Sequence, residues 1–290
     1  MAQIQTESIR TLRVPTGIGD NIWLLQKLAA ANEKFHFKMG NSHPQRGHQI
    51  FELLPSVAKS VEYVPGLAYE TIKKYGAQRD CRYWHEMTER DFLLEINTHL
   101  EKGRRIEDFL PDLEIVWQPP WVTTEVCDDL PESEIYIGIY CAAYSIQRLW
   151  GFWDEKGWFE LINMIHKERP NAMFVMIGAQ WDAPLAAKVM ELMKDNNIPH
   201  HNTVGLNLGY VLQLLRRLNY FIAFPSGLPI LNESLGKNTF MFYPTSLINM
   251  MEAWAKPERI ANYNYIAQLF CTPAEAYERI TKRYNLFDKI

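Results

Sequence analysis

The chain has 290 residues, of which 47% are hydrophobic and 22% charged, with a formal net charge of -4 and a pI near 6.1. That is enough apolar material for one large or two medium cores, and neither half is a polycation, so weak non-specific nucleic-acid affinity is expected. The four cysteines, at 81, 127, 141 and 271, have no Cys-x-x-Cys spacing. They exclude a disulfide frame or a zinc cluster and are expected to be reduced thiols.

In chain order, residues 9–14 read as a first strand and 21–31 as a helix, with Ile22, Leu24, Leu25 and Leu28 on its apolar face. Residues 35–39 form a second strand, 48–54 a helical stretch ended by Pro55, 60–64 a third strand, and 69–75 a further helix. Phe92 to Ile96 alternates, and 104–110 reads as helix. Pro119, Pro120, Asp128, Asp129 and Pro131 then mark a linker over 119–133, between an N-terminal domain at 1–118 and a C-terminal domain at 134–290.

The second half alternates more cleanly. Strands are expected at 135–140, 172–177, 220–224 and 239–242, and helices at 157–168, 183–196 and 208–218. Thr272-Pro273-Ala274-Glu275 is a capping box with proline at the first helical position, which starts a last helix. Strands alternating with helices imply α/β architecture with covered parallel sheets. Two such blocks imply two Rossmann-like domains.

Two turns carry the chemistry. Thr16-Gly17-Ile18-Gly19-Asp20 follows the first strand, and Phe224-Pro225-Ser226-Gly227 follows the strand at 220–224 and opens a short helix ending at Gly236. Such turns aim backbone N–H groups and a helix N-terminus out of the carboxyl edge of a parallel sheet, which suits an anion. A nicotinamide fingerprint is excluded. Its third glycine would fall on Ile22, and Met39-Gly40-Asn41-Ser42 stands where its acidic residue belongs. There is no Gly-Lys-Ser/Thr triplet and no metal-ligand spacing, and His200-His201 beside Pro199 reads as a surface loop. No secretory signal or apolar run near about 18 residues is present, so a cytoplasmic protein without a transmembrane segment is expected. The short basic clusters, at Lys73, Lys74, Arg79 and Arg82 and at Lys102, Arg104 and Arg105, read as solvated faces or as acceptor-binding patches.

Gly17-Ile18-Gly19-Asp20-Asn21-Ile22-Trp23 resembles the N-terminal Gly-x-x-Gly-Asp signature of glycosyltransferase family 9, which includes the ADP-heptose:lipopolysaccharide heptosyltransferases. Ile137 to Tyr140 with Arg148-Leu149-Trp150 and the helix from Trp158 is similar to that family's next strand, basic loop and helix. Phe174 to Asp182 resembles its second nucleotide-facing strand, and Ser226-Gly227 to Gly236 its Asp-Ser/Thr-Gly-x-x-His region. Pro225 stands where the family has Asp, and Ile230 where it has His. The resemblance implies a GT-B fold, two Rossmann-like domains facing across a cleft. It implies an inverting, metal-independent transfer from a nucleotide sugar to an acceptor hydroxyl, with no cofactor.

Transfer of that kind needs a group to hold the leaving diphosphate, a group to bind ribose or base, and a base for the acceptor hydroxyl. Arg148 suits the diphosphate, because a guanidinium pairs bidentately with phosphate oxygens; the competing reading is a surface salt bridge. Ser226 and Gly227 add donors at a helix start. Gly178, Gln180, Asp182 and Glu233 complete the expected donor side, with Asp182 and Glu233 as acceptors for ribose hydroxyls or, for Glu233, as a carboxylate favouring the helix dipole. Asp20 is the candidate base on the glycine loop of Gly17 and Gly19. The competing reading is an N-cap, which would lower its basicity. The acceptor is expected to be a saccharide or a modified nucleic acid, such as a hydroxymethylated pyrimidine base. The departures at Pro225 and Ile230 also leave room for a non-catalytic nucleotide-sugar binder.

Overall fold

A computed structural model describes residues 9–15, 17–40, 47–64, 89–91, 104–141, 153–242 and 271–284. Arg148, Cys81, the helix expected over 69–75 and the alternating stretch 92–96 lie outside the described residues. The chain divides into two compact units, Met1–Val122 and Thr123–Ile290.

The first unit carries a four-stranded parallel sheet. Its strands are β1 (Thr11–Val14), β2 (Phe35–Met39), β3 (Ala58–Tyr63) and β4 (Glu89–Asp91), in the order β3-β2-β1-β4. Helix α1 (Ile18–Leu28) joins β1 to β2, and a single turn, α2 (Gln49–Glu52), precedes β3. Alternation places Leu12, Val14, Phe35, Phe37 and Met39 in the core, where Phe37 packs on Phe51 with ring centroids 4.4 Å apart. Every residue of α1 from Asn21 to Leu28 is buried, including Gln26 and Lys27. The stretch leading out of the unit accounts for those two. Lys27 Nζ donates to the carbonyls of Glu107 and Leu113 at 2.6 and 2.7 Å, and Gln26 Nε2 donates to Trp117 O at 2.8 Å. A buried ammonium is tolerated only with such acceptors. In place of the helix expected over 104–110, the chain makes a 3-10 turn, Ile106–Asp108, whose neighbour Arg105 is paired with Glu107 at 2.7 Å.

The second unit carries a five-stranded parallel sheet with order β7-β6-β5-β8-β9. Its strands are β5 (Tyr136–Tyr140), β6 (Met173–Met176), β7 (His200–Asn202), β8 (Tyr220–Ala223) and β9 (Thr239–Met241). Its helices are α3 (Glu155–Glu168), α4 (Ala183–Asp195), α5 (Leu208–Arg217), α6 (Gly227–Ser234) and α7 (Pro273–Tyr284). All five residues of β5 are buried, as a central strand covered on both faces requires. At the carboxyl end of the sheet, Trp153, Trp158, Phe224 and Phe242 form a buried aromatic cluster with centroids 4.4 to 6.1 Å apart. The capping box at Thr272 forms: Glu275 N donates to Thr272 Oγ1 at 3.2 Å, and Thr272 N donates to Glu275 Oε2 at 2.8 Å. One expectation for this unit fails. His200 and His201 are not loop residues but an edge strand paired with β6, because the backbone ladder to Phe174 and Val175 needs no apolar side chain at the sheet edge.

The expected fold class, α/β with two parallel sheets, is therefore met. In each sheet the strand order reverses once, between β1 and β4 and between β5 and β8. Ligands of open α/β sheets bind outside the carboxyl ends of the strands at such points.

Candidate functional site

The turn after β1 leaves the first sheet at its reversal point. Helix α1 starts at Ile18, three residues earlier than the sequence suggests, with Gly17 as N-cap and no side-chain cap bond. Gly19 and Asp20 are thus the second and third helical residues rather than loop residues, and Asp20 is not the N-cap. Its carboxylate instead folds back over the cap. A methyl group on Gly17 would lie 2.6 Å from Asp20 Oδ2. A carboxylate at that position also offsets the bare amides of the first turn, which is why the helix extends back to Ile18. Asp20 remains half-buried. Next to it, the fully buried Asn21 donates from Nδ2 to the carbonyls of Pro15 at 2.8 Å and Gly17 at 2.9 Å.

The second sheet presents its own carboxyl-edge turns. After β6, Gly178 and Ala179 lead into a 3-10 turn, Gln180–Asp182. Asp182 is 2% exposed, and its Oδ2 accepts the Ala179 N–H at 2.6 Å. It lies close enough to Gly178 that a Cβ there would meet its Cβ and Oδ2 at 3.0 Å. This carboxylate ties the turn together from a buried position. Gly205 in the next loop has φ +90° and donates its N–H to Gly178 O at 3.0 Å. The exposed Gln180 covers it, with Oε1 2.6 Å from where a Cβ would stand, so only glycine fits. Trp181 and Leu206, at 40% and 37% exposure, are the large apolar side chains these two loops leave in solvent.

After β8, Pro225 and Ser226 open α6. Ser226 is its N-cap, and Ser226 Oγ accepts the Leu228 N–H at 3.3 Å. Ser226 and Gly227 are half-buried, while Ile230 is buried in the following turn. Glu233 is the penultimate residue of this helix, so it lies about 9 Å along the axis from the N-terminus. A carboxylate at that end does not favour the helix dipole, which corrects the sequence-based reading. Cys141 caps β5 beside this region. Burial, and then the charge of Asp182, push its thiol well above the ordinary range, so it holds its proton and supplies no thiolate. Among the described residues no group of three or more His, Cys, Asp or Glu could hold a metal ion.

The structure thus gathers Gly178, Gln180 and Asp182 on one carboxyl-edge turn of the second sheet and Ser226 and Gly227 on another, with Glu233 set apart. Gly17, Gly19 and Asp20 occupy the corresponding edge of the first. Asn21 is the neighbour that sequence reasoning passed over; its signal was a polar residue at a position of α1 otherwise occupied by core.

No protein-family model and no curated protein sequence matches the chain. Solved structures do. The E. coli heptosyltransferase WaaC with ADP is similar at a TM-score of 0.62 and 13% identity, over 95% of this chain and 100% of that one. The glycosyl transferase family 9 protein of Veillonella parvula DSM 2008 is similar at 0.61 and 13% identity, over 97% and 98%. E. coli ADP-heptose LPS heptosyltransferase II is similar at 0.56 and 13% identity, over 95% and 98%. The chain therefore has the two-unit α/β fold of the GT-B heptosyltransferases, as the resemblance of its motifs implied.

Proposed function

We propose that the chain is a nucleotide-sugar glycosyltransferase that transfers with inversion to a saccharide hydroxyl, without a metal or other cofactor. The observation that carries this reading is the extent of the likeness. It runs over at least 95% of the chain, so it takes in both units. The two turns differ in character as the chemistry requires. The turn at Ser226-Gly227 offers a helix N-terminus to an anion, while the turn at Gly17 carries a carboxylate.

In this reading the first unit receives the acceptor and the second holds the donor. Asp20 takes the proton of the acceptor hydroxyl as its oxygen bonds to the anomeric carbon. The bond from that carbon to the diphosphate oxygen breaks, and the nucleoside diphosphate leaves. The amides at the start of α6, with Arg148, take up the charge that grows on the diphosphate. One displacement on one face of the sugar inverts its configuration. Among the described residues no helix is long and apolar enough to cross a membrane.

Nucleotide release from ADP-heptose and UDP-glucose, with truncated lipopolysaccharide or hydroxymethylcytosine DNA as acceptor, tests the reading. Release that depends on the saccharide acceptor, and a loss of about a hundredfold or more in Asp20→Ala and Arg148→Ala, are expected. Full activity in both variants removes the residue assignment. Release that depends on the DNA instead moves the acceptor to nucleic acid, and no release with any donor reduces the chain to a binding protein.

A further inference from the structure

We propose that Asn21 is a positioning residue for the Asp20 carboxylate, acting through the turn that supports it. The proposal rests on the reading of Asp20 as the base and adds the device that holds it in place.

Gly17 is where the two demands on this turn meet. A Cβ on residue 17 would lie 2.6 Å from Asp20 Oδ2, so the cap must be glycine if the carboxylate is to rest there. Glycine also leaves the backbone free to take many conformations. Gly17 has no side chain of its own with which to cap α1. Asn21 supplies the restraint from one turn further on. Its Nδ2 reaches both Pro15 O at 2.8 Å and Gly17 O at 2.9 Å, and its own N–H also donates to Gly17 O at 3.2 Å. One amide therefore fixes the carbonyls on either side of the turn.

The burial of Asn21 argues that this is more than packing. The residue is 0% exposed, and its Oδ1 is buried with no hydrogen-bond partner among the described residues. A side chain that only filled space at this position would be apolar, because an unmatched buried acceptor is unfavourable. What the amide gains in return is the pair of bonds to the turn. Those bonds set the height of Gly17 and so the place of the Asp20 carboxylate above it. Displacing a reacting group by about 1 Å is enough to slow a reaction a hundredfold.

The test compares wild type with Asn21→Ala, Asn21→Ser, Asp20→Asn and the double variant Asp20→Asn/Asn21→Ala. Asn21→Ala is expected to lower kcat by roughly ten- to a hundredfold with donor KM within about twofold. Asn21→Ser, whose hydroxyl can still donate to the carbonyl four residues back, is expected to recover most of that loss. The double variant is expected to be no slower than Asp20→Asn, because Asn21 acts only through the carboxylate. Unchanged kcat in Asn21→Ala, an effect on KM alone, or the same fold-loss in the Asp20→Asn background overturns the proposal. Full activity in Asp20→Asn overturns the base assignment instead. Faster amide exchange over residues 17–20 and a moved 13C signal of the Asp20 carboxyl in Asn21→Ala, read under native conditions, are expected beside the loss of kcat. If neither changes, the positioning is wrong.

Discussion

Gly17 has φ -74°, a conformation any residue accepts, so its backbone does not demand glycine. The demand comes from Asp20, whose Oδ2 occupies the space a Cβ would take. Gly17→Ala is therefore expected to fold normally and to fail chemically. Its methyl group pushes the carboxylate aside, and the rate of nucleotide release falls by about a hundredfold while the thermal midpoint stays within a few degrees of wild type. An intact rate in this variant shows that Asp20 need not rest on the cap. The same carboxylate-over-turn device recurs at Asp182, whose Oδ2 accepts the Ala179 N–H. Burial separates the two. Asp182 is sealed at 2% exposure, whereas Asp20 is half-buried and can meet a substrate. Two carboxylates that each fold over a turn look alike in sequence and differ in what covers them.

Helix α3 shows how far an element is set by its ends. Asp154 Oδ1 accepts the N–H groups of Lys156 and Gly157, both at 3.0 Å, and starts the helix two residues before the expected position. Asp154→Ala should lower stability by about 1 kcal/mol, read as a shift in the urea midpoint with unchanged slope. Elements built on apolar period were legible in this way to within a few residues. The strand at 35–39 coincides with β2, and the capping box at Thr272 opens α7. The elements that escaped are those whose cause lies elsewhere in the fold. Three polar residues made β7 because β6 offered a ladder, and α1 begins at Ile18 because Asp20 offsets its free amides. Gln26 and Lys27 are polar and yet buried, since the carbonyls that hold them come from about 80 to 90 residues away. In the candidate site, the glycines and Ser226 could be read from turn chemistry. The burial of Asp182 and the place of Glu233 at the far end of α6 depend on where helices start and stop, which the motif spacing leaves open.

At the scale of the molecule, the stretch that reads as a linker is divided: Val122 N donates to Leu53 O in the first unit, and the part from Thr123 on is held against the second. The division between units falls after Val122, and the chain from Thr123 onward lies along α5. A Cβ on Gly209 would meet Thr123 Oγ1 at 2.6 Å and Glu125 Cγ at 2.8 Å, so the chain passes directly over the start of that helix. Further on, Arg217 donates to the Cys127 carbonyl, and the Tyr210 hydroxyl donates to Asp129 Oδ1 at 2.5 Å. That bond comes first among the causes that hold the Asp129 carboxyl below its usual range, with His201 and Arg217 adding smaller attraction. Asp129 lies largely in solvent, with a side-chain exposure of 62%, so the His201 contact at 3.8 Å is a weak anchor and the tyrosine the stronger one. Tyr210→Phe deletes that anchor without changing the packing of the ring. Glutamyl endopeptidase, which cuts after Glu125 and Glu132, should then cleave the stretch several-fold faster than in wild type at the same global stability, because local opening and not unfolding limits the cut. Equal cleavage rates would mean that the contacts at Gly209 and Arg217 hold the stretch by themselves.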